Sequence, residues 1–217
     1  MSRPDDLVRA CHQAGVRDQR VLEAIGAVPR AAFVPPRVER RAYLDQPLPI
    51  SHGQVTTQPS LVARMVEALA LRGTEKVLEV GTGYGYQTAL LASLARELWS
   101  VELWPDMRAA ARTSQLGVGI RNAHVVLGDG TRGLASRAPF DAVIVAAAFP
   151  TVPPPLFDQL AEGGRLVQPI GPGGLEDVQL FERRGGELVA ERSVCGANFV
   201  RLRGEHGYAL EGQEWFA

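Results

Sequence analysis

The sequence predicts an α/β protein built on a doubly wound, mostly parallel sheet, with N-terminal helices before it and appended antiparallel C-terminal strands after it. Strand and helix patterns alternate through the middle of the chain, which is typical of this class. The central strands are apolar at consecutive positions, as expected where helices cover both faces of a parallel sheet. Near the C-terminus the pattern changes to strands separated by paired glycines.

The first part of the chain predicts two short helices and a long ordered loop. Apolar residues recur at helical spacing over residues 5–28, with a break near Gly15. Residues 29–59 are rich in proline and hold only short apolar clusters. Long loops inside compact domains usually have a function, so we expect this one to face a substrate.

From Ser60 onward the elements follow the α/β rhythm. A helix beginning at Ser60 leads into strand 76–80, helix 86–95, strand 98–103, helix 106–116, strands 123–127 and 140–147, helix 154–161 and strand 164–170. Three antiparallel strands are predicted at 177–182, 188–193 and 198–202. We therefore expect a single domain over residues 1–217, with N-terminal helices and loop (1–59), an α/β core (60–170) and C-terminal strands (171–217).

Composition excludes several classes of protein. With 23 Lys+Arg against 24 Asp+Glu, a net charge of −1 and scattered basic residues, the chain has no patch suited to nucleic acid. It holds no long apolar run for a membrane and no secretory leader pattern at Met1. Two distant cysteines without metal-ligand spacing favour a reducing compartment. We expect a cytoplasmic monomer that uses no metal.

A glycine-rich turn follows strand 76–80 and opens the next helix. Its residues are Gly81, Thr82, Gly83, Tyr84 and Gly85, and the glycines allow a sharp turn and close approach of a ligand to the backbone. The position where a dinucleotide fingerprint needs a third spaced glycine holds a tyrosine, and no Gly-Lys-Ser/Thr follows. The common ligand that fits such a turn without a phosphate cradle is S-adenosyl-L-methionine.

Two acidic residues follow at the ends of the next strands. Glu102 closes the strand after the turn, where its carboxylate is placed to accept both hydroxyls of a ribose. Asp129 lies between Gly128 and Gly130 at the end of strand 123–127, on the same edge of the sheet, where adenine could donate to it. Each feature alone is also typical of an ordinary turn. Together they predict a cofactor site formed by Gly81 to Gly85, Glu102, Asp129 and Gly130.

Further motifs extend over most of the chain. They are Pro29-Arg30, Phe33-Val34-Pro35, Pro47-Leu48-Pro49-Ile50, Gly53-Gln54, Gln58-Pro59, Val77 to Gly83, Gly128-Asp129-Gly130, Gly163 to Val167 and Phe199-Val200. With them the chain resembles the protein-L-isoaspartate (D-aspartate) O-methyltransferases, which are class I methyltransferases. The resemblance implies a Rossmann-like methyltransferase fold and methyl esterification of L-isoaspartyl and D-aspartyl carboxylates in damaged proteins and peptides. The ester then leads through a succinimide to repair.

The resemblance also implies the acceptor residues. The family usually reads Thr-Ile-Ser-Gln-Pro where this chain has Val55 to Pro59, so Thr57 stands at the serine that positions the substrate and is the implied catalytic residue. Substrate contacts are implied for Val55, Thr56, Gln58, Val200 and Leu202.

Two departures from the family pattern leave alternatives open. Thr57 adds a methyl group to the family serine, and Arg201 stands where the family tends to have proline. These changes are compatible with a related methyltransferase that has another carboxylate acceptor, either an aspartate in one peptide or a small molecule. A third possibility is a non-catalytic module that binds the cofactor.

Overall fold

The computed structural model describes residues 3–209. Its helices are α1 (Pro4–Gln13), α2 (Gln19–Ala27), α3 (Pro59–Ala68), α4 (Tyr86–Leu94), α5 (Pro105–Gly117) and α6 (Pro154–Asp158). Its strands are β1 (Leu48–Pro49), β2 (Val55–Thr56), β3 (Lys76–Val80), β4 (Glu97–Glu102), β5 (Ala123–Leu127), β6 (Phe140–Val145), β7 (Leu160–Ile170), β8 (Glu176–Arg184) and β9 (Glu187–Ala197).

One seven-stranded sheet organises the molecule, in the order β5-β4-β3-β6-β7-β8-β9. The strands from β5 to β7 are parallel, whereas β8 and β9 are antiparallel. This confirms the predicted fold class. The chain order reverses between β3 and β6, and in open α/β sheets a ligand crevice lies at the carboxyl ends of the strands beside such a reversal.

The two faces of the sheet are covered by different parts of the chain. On one face, Val77 and Ile144 pack into a core that includes the buried sides of α1 to α4. On the other, Leu78 and Val143 pack with Leu156 of α6. Because both faces are buried, the central strands are apolar at successive positions, as the sequence predicted.

Two predicted elements are wrong in part. The helix predicted over 154–161 ends at Asp158, because Leu160 already pairs with Phe140 as the first residue of β7. The strand predicted over 198–202 does not join β9. Instead Val200 and Leu202 hydrogen-bond to the backbone of Ala148 in the loop after β6, at 2.8 Å each. The part of the predicted C-terminal region beyond Ala209 lies outside the described residues.

The N-terminal part follows the prediction more closely and adds detail. A short loop joins the two helices α1 and α2, and it contains Gly15, whose φ is +100°. The long segment before α3 contains 3₁₀ turns at Arg30–Phe33, Pro36–Arg41 and Ser51–Gly53, and a small hairpin in which β1 pairs with β2. It is therefore an ordered wall with little regular structure.

The side chain of Arg30 holds this wall together. It is fully buried, and its Nη1 donates to the carbonyls of Ala42 and Leu44 at 3.0 Å each. Its Nη2 donates to the carbonyls of Gln46 at 3.0 Å and Thr57 at 3.2 Å. Burial lowers the pKa of Arg30 to about 10, which leaves the guanidinium charged at neutral pH. One cation thus satisfies four carbonyls that lie along the segment.

We expect Arg30→Met to lower the free energy of unfolding by about 3 kcal/mol or more, because the variant keeps most of the volume but leaves several carbonyls unpaired. Urea denaturation measures this. Arg37→Met is the matched control, since among the described residues the exposed Arg37 makes two long bonds, of 3.3 and 3.4 Å, to the carbonyls of Pro49 and Ile50. An equal loss of stability in the two variants would contradict the role given to Arg30.

Candidate functional site

The glycine turn begins where β3 ends and leads into α4. Gly81, Gly83 and Gly85 have φ values of +92°, +57° and +92°, which residues other than glycine rarely adopt. At Gly85 a Cβ atom would also lie 3.3 Å from the Cβ of Ala111 in α5. The turn therefore requires glycine both for its backbone path and for its packing.

The buried carboxylate of Glu79 stabilises the elements on both sides of the glycine turn. Glu79 of β3 accepts hydrogen bonds from Gln87 at 3.0 Å, from Thr88 at 2.6 Å and from Ser100 at 2.6 Å. Burial raises the pKa of Glu79 to about 7. These bonds join β3 to α4 and β4 on either side of the turn, a role that the sequence analysis did not predict.

Glu102, the last residue of β4, lies beside the turn with only 3% of its surface exposed. Its Oε2 accepts from the backbone N–H of Gly83 at 2.8 Å and its Oε1 from that of Trp104 at 3.0 Å. Burial raises the pKa of Glu102 above its ordinary value, although these bonds oppose the shift. A carboxylate has about four acceptor positions, so each oxygen can accept one more hydrogen bond.

A cleft with a void of about 910 Å³, measured out to the solvent, joins the two groups of predicted residues. On its cofactor side it is lined by Gly81, Thr82, Gly83, Tyr84, Gly85, Glu102 and Gly130, and on its acceptor side by Val55, Thr56, Thr57, Val200 and Leu202. The structure thus brings most of the predicted site residues around one void, although they lie far apart in sequence.

Several residues that line the cleft were missed by the sequence analysis. Leu103, Trp104 and Met107 form an apolar wall beside Glu102, and Ile50 faces them from the acceptor side. Leu103 and Trp104 directly follow Glu102, so their position after a strand end beside the glycine turn was the available signal. Ile50 ends the Pro47–Ile50 motif, but its side chain, like that of Met107, is of a type common in any apolar core.

Asp129 is not among the residues that line the cleft. Its Oδ1 accepts from the backbone N–H of Thr131 at 2.9 Å and from the Thr131 hydroxyl at 2.7 Å. Its Oδ2 accepts from the backbone N–H of Glu205 at 2.8 Å. The predicted contact between Asp129 and adenine stays a prediction. Gly130 does line the cleft, and a Cβ there would lie 2.5 Å from Cγ1 of Val80, so the position has no room for a side chain.

Gln58 belongs to a neighbouring cleft. Its Nε2 donates to Asp45 at 2.9 Å and to the hydroxyl of Ser60 at 3.1 Å. This second cleft, with a void of about 1070 Å³, is also lined by Arg64. Thr57 lines both clefts, as do Val55, Ala146 and Val200. Thr57 therefore lies where a ligand in one cleft would meet a ligand in the other.

None of the helices within residues 3–209 is both long and apolar enough to cross a membrane. In the same range, no three His, Cys, Asp or Glu side chains cluster in a way suited to a metal ion.

Comparison with known proteins gives concordant matches. Residues 2–207 match the model of the family "Protein-L-isoaspartate(D-aspartate) O-methyltransferase (PCMT)". A protein-L-isoaspartate O-methyltransferase of Anaeromyxobacter dehalogenans (strain 2CP-C) is 53% identical over 190 residues, covering 87% of this chain and 91% of the relative. Another, from Methanoculleus marisnigri, is 48% identical over 199 residues, covering 91% and 89%.

Solved structures agree in fold. A protein-L-isoaspartate O-methyltransferase superposes with a TM-score of 0.83 at 27% identity, covering 94% of this chain and 67% of that chain. A proposed protein-L-isoaspartate O-methyltransferase of Plasmodium falciparum, in complex with S-adenosyl-L-homocysteine, has a TM-score of 0.77 at 22% identity and coverage of 94% and 99%.

We expect Glu102→Ala to weaken the binding of S-adenosyl-L-homocysteine at least tenfold, because each charge-assisted bond to a ribose hydroxyl is worth about 1.5–3 kcal/mol. Isothermal titration calorimetry measures this affinity. Glu97→Ala is the control: Glu97 begins the same strand and bonds to the indole of Trp99 at 2.8 Å, outside the cleft. Unchanged affinity in the Glu102 variant would remove this residue from the site.

Proposed function

The chain belongs to the protein-L-isoaspartate(D-aspartate) O-methyltransferase family, and we propose that it methylates the free carboxylate of L-isoaspartyl and D-aspartyl residues in damaged proteins and peptides. It is an S-adenosyl-L-methionine-dependent enzyme. The observation that carries the proposal is the shared cleft, in which the glycine turn and Glu102 face Thr57 across one void.

The residues on the cofactor side fit an adenosyl group. Glu102 keeps free acceptor positions at a place where two neighbouring hydroxyls can reach it. Trp104 and Met107 offer an apolar surface against which a flat base packs. The turn from Gly81 to Gly85 permits close approach to the backbone. The bound cofactor supplies an electrophilic methyl group on a sulfonium.

The reaction requires the protein to position its two substrates rather than to transfer a proton. A free carboxyl acceptor with a pKa of about 4 is already ionised at neutral pH, so no general base is needed. Positive and negative charge both disappear as the methyl group moves, and a cleft that excludes water favours this loss of charge. The chain's part is to align the carboxylate with the methyl group and to exclude solvent.

Thr57 is the residue best placed for the alignment. It lines both clefts, and the Arg30 guanidinium holds its carbonyl at 3.2 Å, which restrains its backbone. Its hydroxyl can donate one hydrogen bond to the acceptor carboxylate. We assign Thr57 this positional role and assign it no acid or base function.

The product explains the biological use of the reaction. A methyl ester on an isoaspartyl residue is attacked by the neighbouring backbone nitrogen, which expels methanol and closes a succinimide ring. Hydrolysis of the ring reopens it partly to normal aspartate. Repeated cycles convert the damaged linkage into the natural one.

Three finer features belong to the same proposal: a cytoplasmic location, a monomeric state and the lack of a nucleic-acid partner. The first is supported by Cys11 and Cys195, which are both free thiols. The last is supported by the formal net charge of −1. Light scattering against the 23.4 kDa mass of the chain tests the monomeric state.

Transfer of radiolabelled methyl groups to an isoaspartyl peptide and to its aspartyl twin tests the function. We expect label in the isoaspartyl peptide alone, and its loss as methanol when the ester closes to the succinimide. Equal labelling of both peptides would favour a methyltransferase with another acceptor. This alternative is considered because Thr57 and the exposed Arg201, which both line the cleft, depart from the family pattern. Cofactor binding without transfer to any carboxylate would favour the non-catalytic module.

Two substitutions test the part played by the Thr57 hydroxyl. Thr57→Ser keeps the hydroxyl and should retain or raise activity on the isoaspartyl peptide. Thr57→Val keeps the shape but loses the donor, so kcat/KM should fall by about one to two orders of magnitude if the bond to the charged acceptor is worth about 1.5–3 kcal/mol. Affinity for S-adenosyl-L-homocysteine is the internal control and should stay constant. A valine variant with undiminished turnover would show that the oxygen is dispensable.

A further inference from the structure

His52 lies at the tip of the loop between β1 and β2 in an unusual backbone conformation. Its φ and ψ are 56° and 32°, in the left-handed region that residues other than glycine adopt uncommonly, asparagine, aspartate and histidine more often than the rest. Such a conformation persists only where surrounding contacts compensate for its strain. Those contacts come from the opposite side of the cleft.

The imidazole of His52 makes two contacts with the residues that follow β4. Its ring stacks on the indole of Trp104, with centroids 4.0 Å apart and planes inclined by 4°. Its Nε2 lies 2.8 Å from Oδ1 of Asp106, in the first turn of α5. This hydrogen bond is the main reason that the pKa of Asp106 is held below its usual range. Ring and carboxylate together account for the position of His52.

These contacts cross the cleft. The loop that bears His52 continues through β2 to Thr57 on the acceptor side, whereas Trp104 lines the cofactor side. Within residues 3–209, one other side-chain hydrogen bond joins the loop between β1 and β2 to the cofactor side, between the hydroxyls of Ser51 and Tyr84 at 3.3 Å. The His52 contacts therefore supply much of the polar and aromatic attachment of this loop to the cofactor side.

We propose that His52 is a positioning residue: its contacts with Trp104 and Asp106 hold the segment that carries Thr57 against the cofactor side of the cleft. The part of this proposal that concerns the placement of Thr57 rests on the proposed function. Retention of the bound nucleoside needs only that the loop closes the cleft. Loosening the attachment therefore speeds the release of S-adenosyl-L-homocysteine, the product left by the cofactor after methyl transfer.

The attachment is local to His52, Trp104 and Asp106, because the neighbouring polar side chains bond elsewhere. Arg37 bonds to loop carbonyls, Tyr84 to Ser51, and Glu102 to backbone N–H groups.

The test is the dissociation rate of S-adenosyl-L-homocysteine, followed by stopped-flow tryptophan fluorescence, in wild type, His52→Asn, Asp106→Ala, Asp106→Asn and the double variant of His52→Asn with Asp106→Ala. Asparagine tolerates the left-handed conformation, so the first variant removes the ring without backbone strain. The pair is half exposed, with 33% and 57% of the two side chains accessible, so each single variant should release the ligand about two- to fivefold faster. The double variant should match the faster single one.

Asp5→Ala is the matched control, because Asp5 is also a first-turn aspartate but lies on α1, away from the cleft. This control should release the ligand at the wild-type rate, and Asp106→Asn, which keeps an acceptor oxygen for the imidazole, should release it more slowly than Asp106→Ala. Equal rates in all variants, additive effects in the double variant or equal rates in Asp106→Asn and Asp106→Ala would each overturn the proposal.

The proposed function can fail separately from this inference. If isoaspartyl peptides are not methylated while the dissociation rates change as expected, the acceptor is wrong and the positioning role stands. If the peptides are methylated at equal rates by wild type and His52→Asn and dissociation is also unchanged, the function stands and the role of His52 is wrong.

Discussion

The acceptor wall of the cleft depends on the buried Arg30 guanidinium. Residues 42–57 form only short turns and two-residue strands, so many of their carbonyls find no partner in a regular ladder. A planar guanidinium with five donors satisfies four of them, which the compact ammonium of lysine is not shaped to do. Its Cζ also lies 5.5 Å from the ring centre of Tyr86, the first residue of α4. The same cation thus ties the acceptor wall to the element that carries the glycine turn.

The two buried acidic residues beside the glycine turn differ in how many acceptor positions their surroundings leave free. Glu79 receives its three hydrogen bonds from side chains of the protein and is wholly enclosed by them. Glu102 receives one backbone N–H on each oxygen and faces a void. Burial raises the pKa of both. What distinguishes Glu102 is the hydrogen-bond acceptor capacity that it keeps toward the cleft. Glu102 reaches this place because β4 extends one residue beyond Val101, which pairs with the last residue of β3.

The sequence revealed the parts of the fold that are governed by local patterns. Strands 76–80 and 123–127 have their predicted bounds, since periodicity and flanking turns define them. The error over 198–202 arose because these residues pair with Ala148, and a contact between distant segments leaves no mark on local periodicity. The partners of Asp129 and the carbonyls around the buried arginine were hidden for the same reason. Most of the predicted site residues still line the cleft, because the carboxyl ends of parallel strands lie at the same edge of the sheet.

The acceptor side also takes part of its lining from near the end of the chain, where Val200 and Leu202 are held by the backbone of Ala148. The whole cofactor side, from Gly81 to Gly130, precedes them in the sequence. During synthesis on the ribosome, every residue that lines the cofactor side therefore leaves the exit tunnel before this part of the acceptor side has been made. The two sides of the cleft thus become complete at different times, and the acceptor side is the later one.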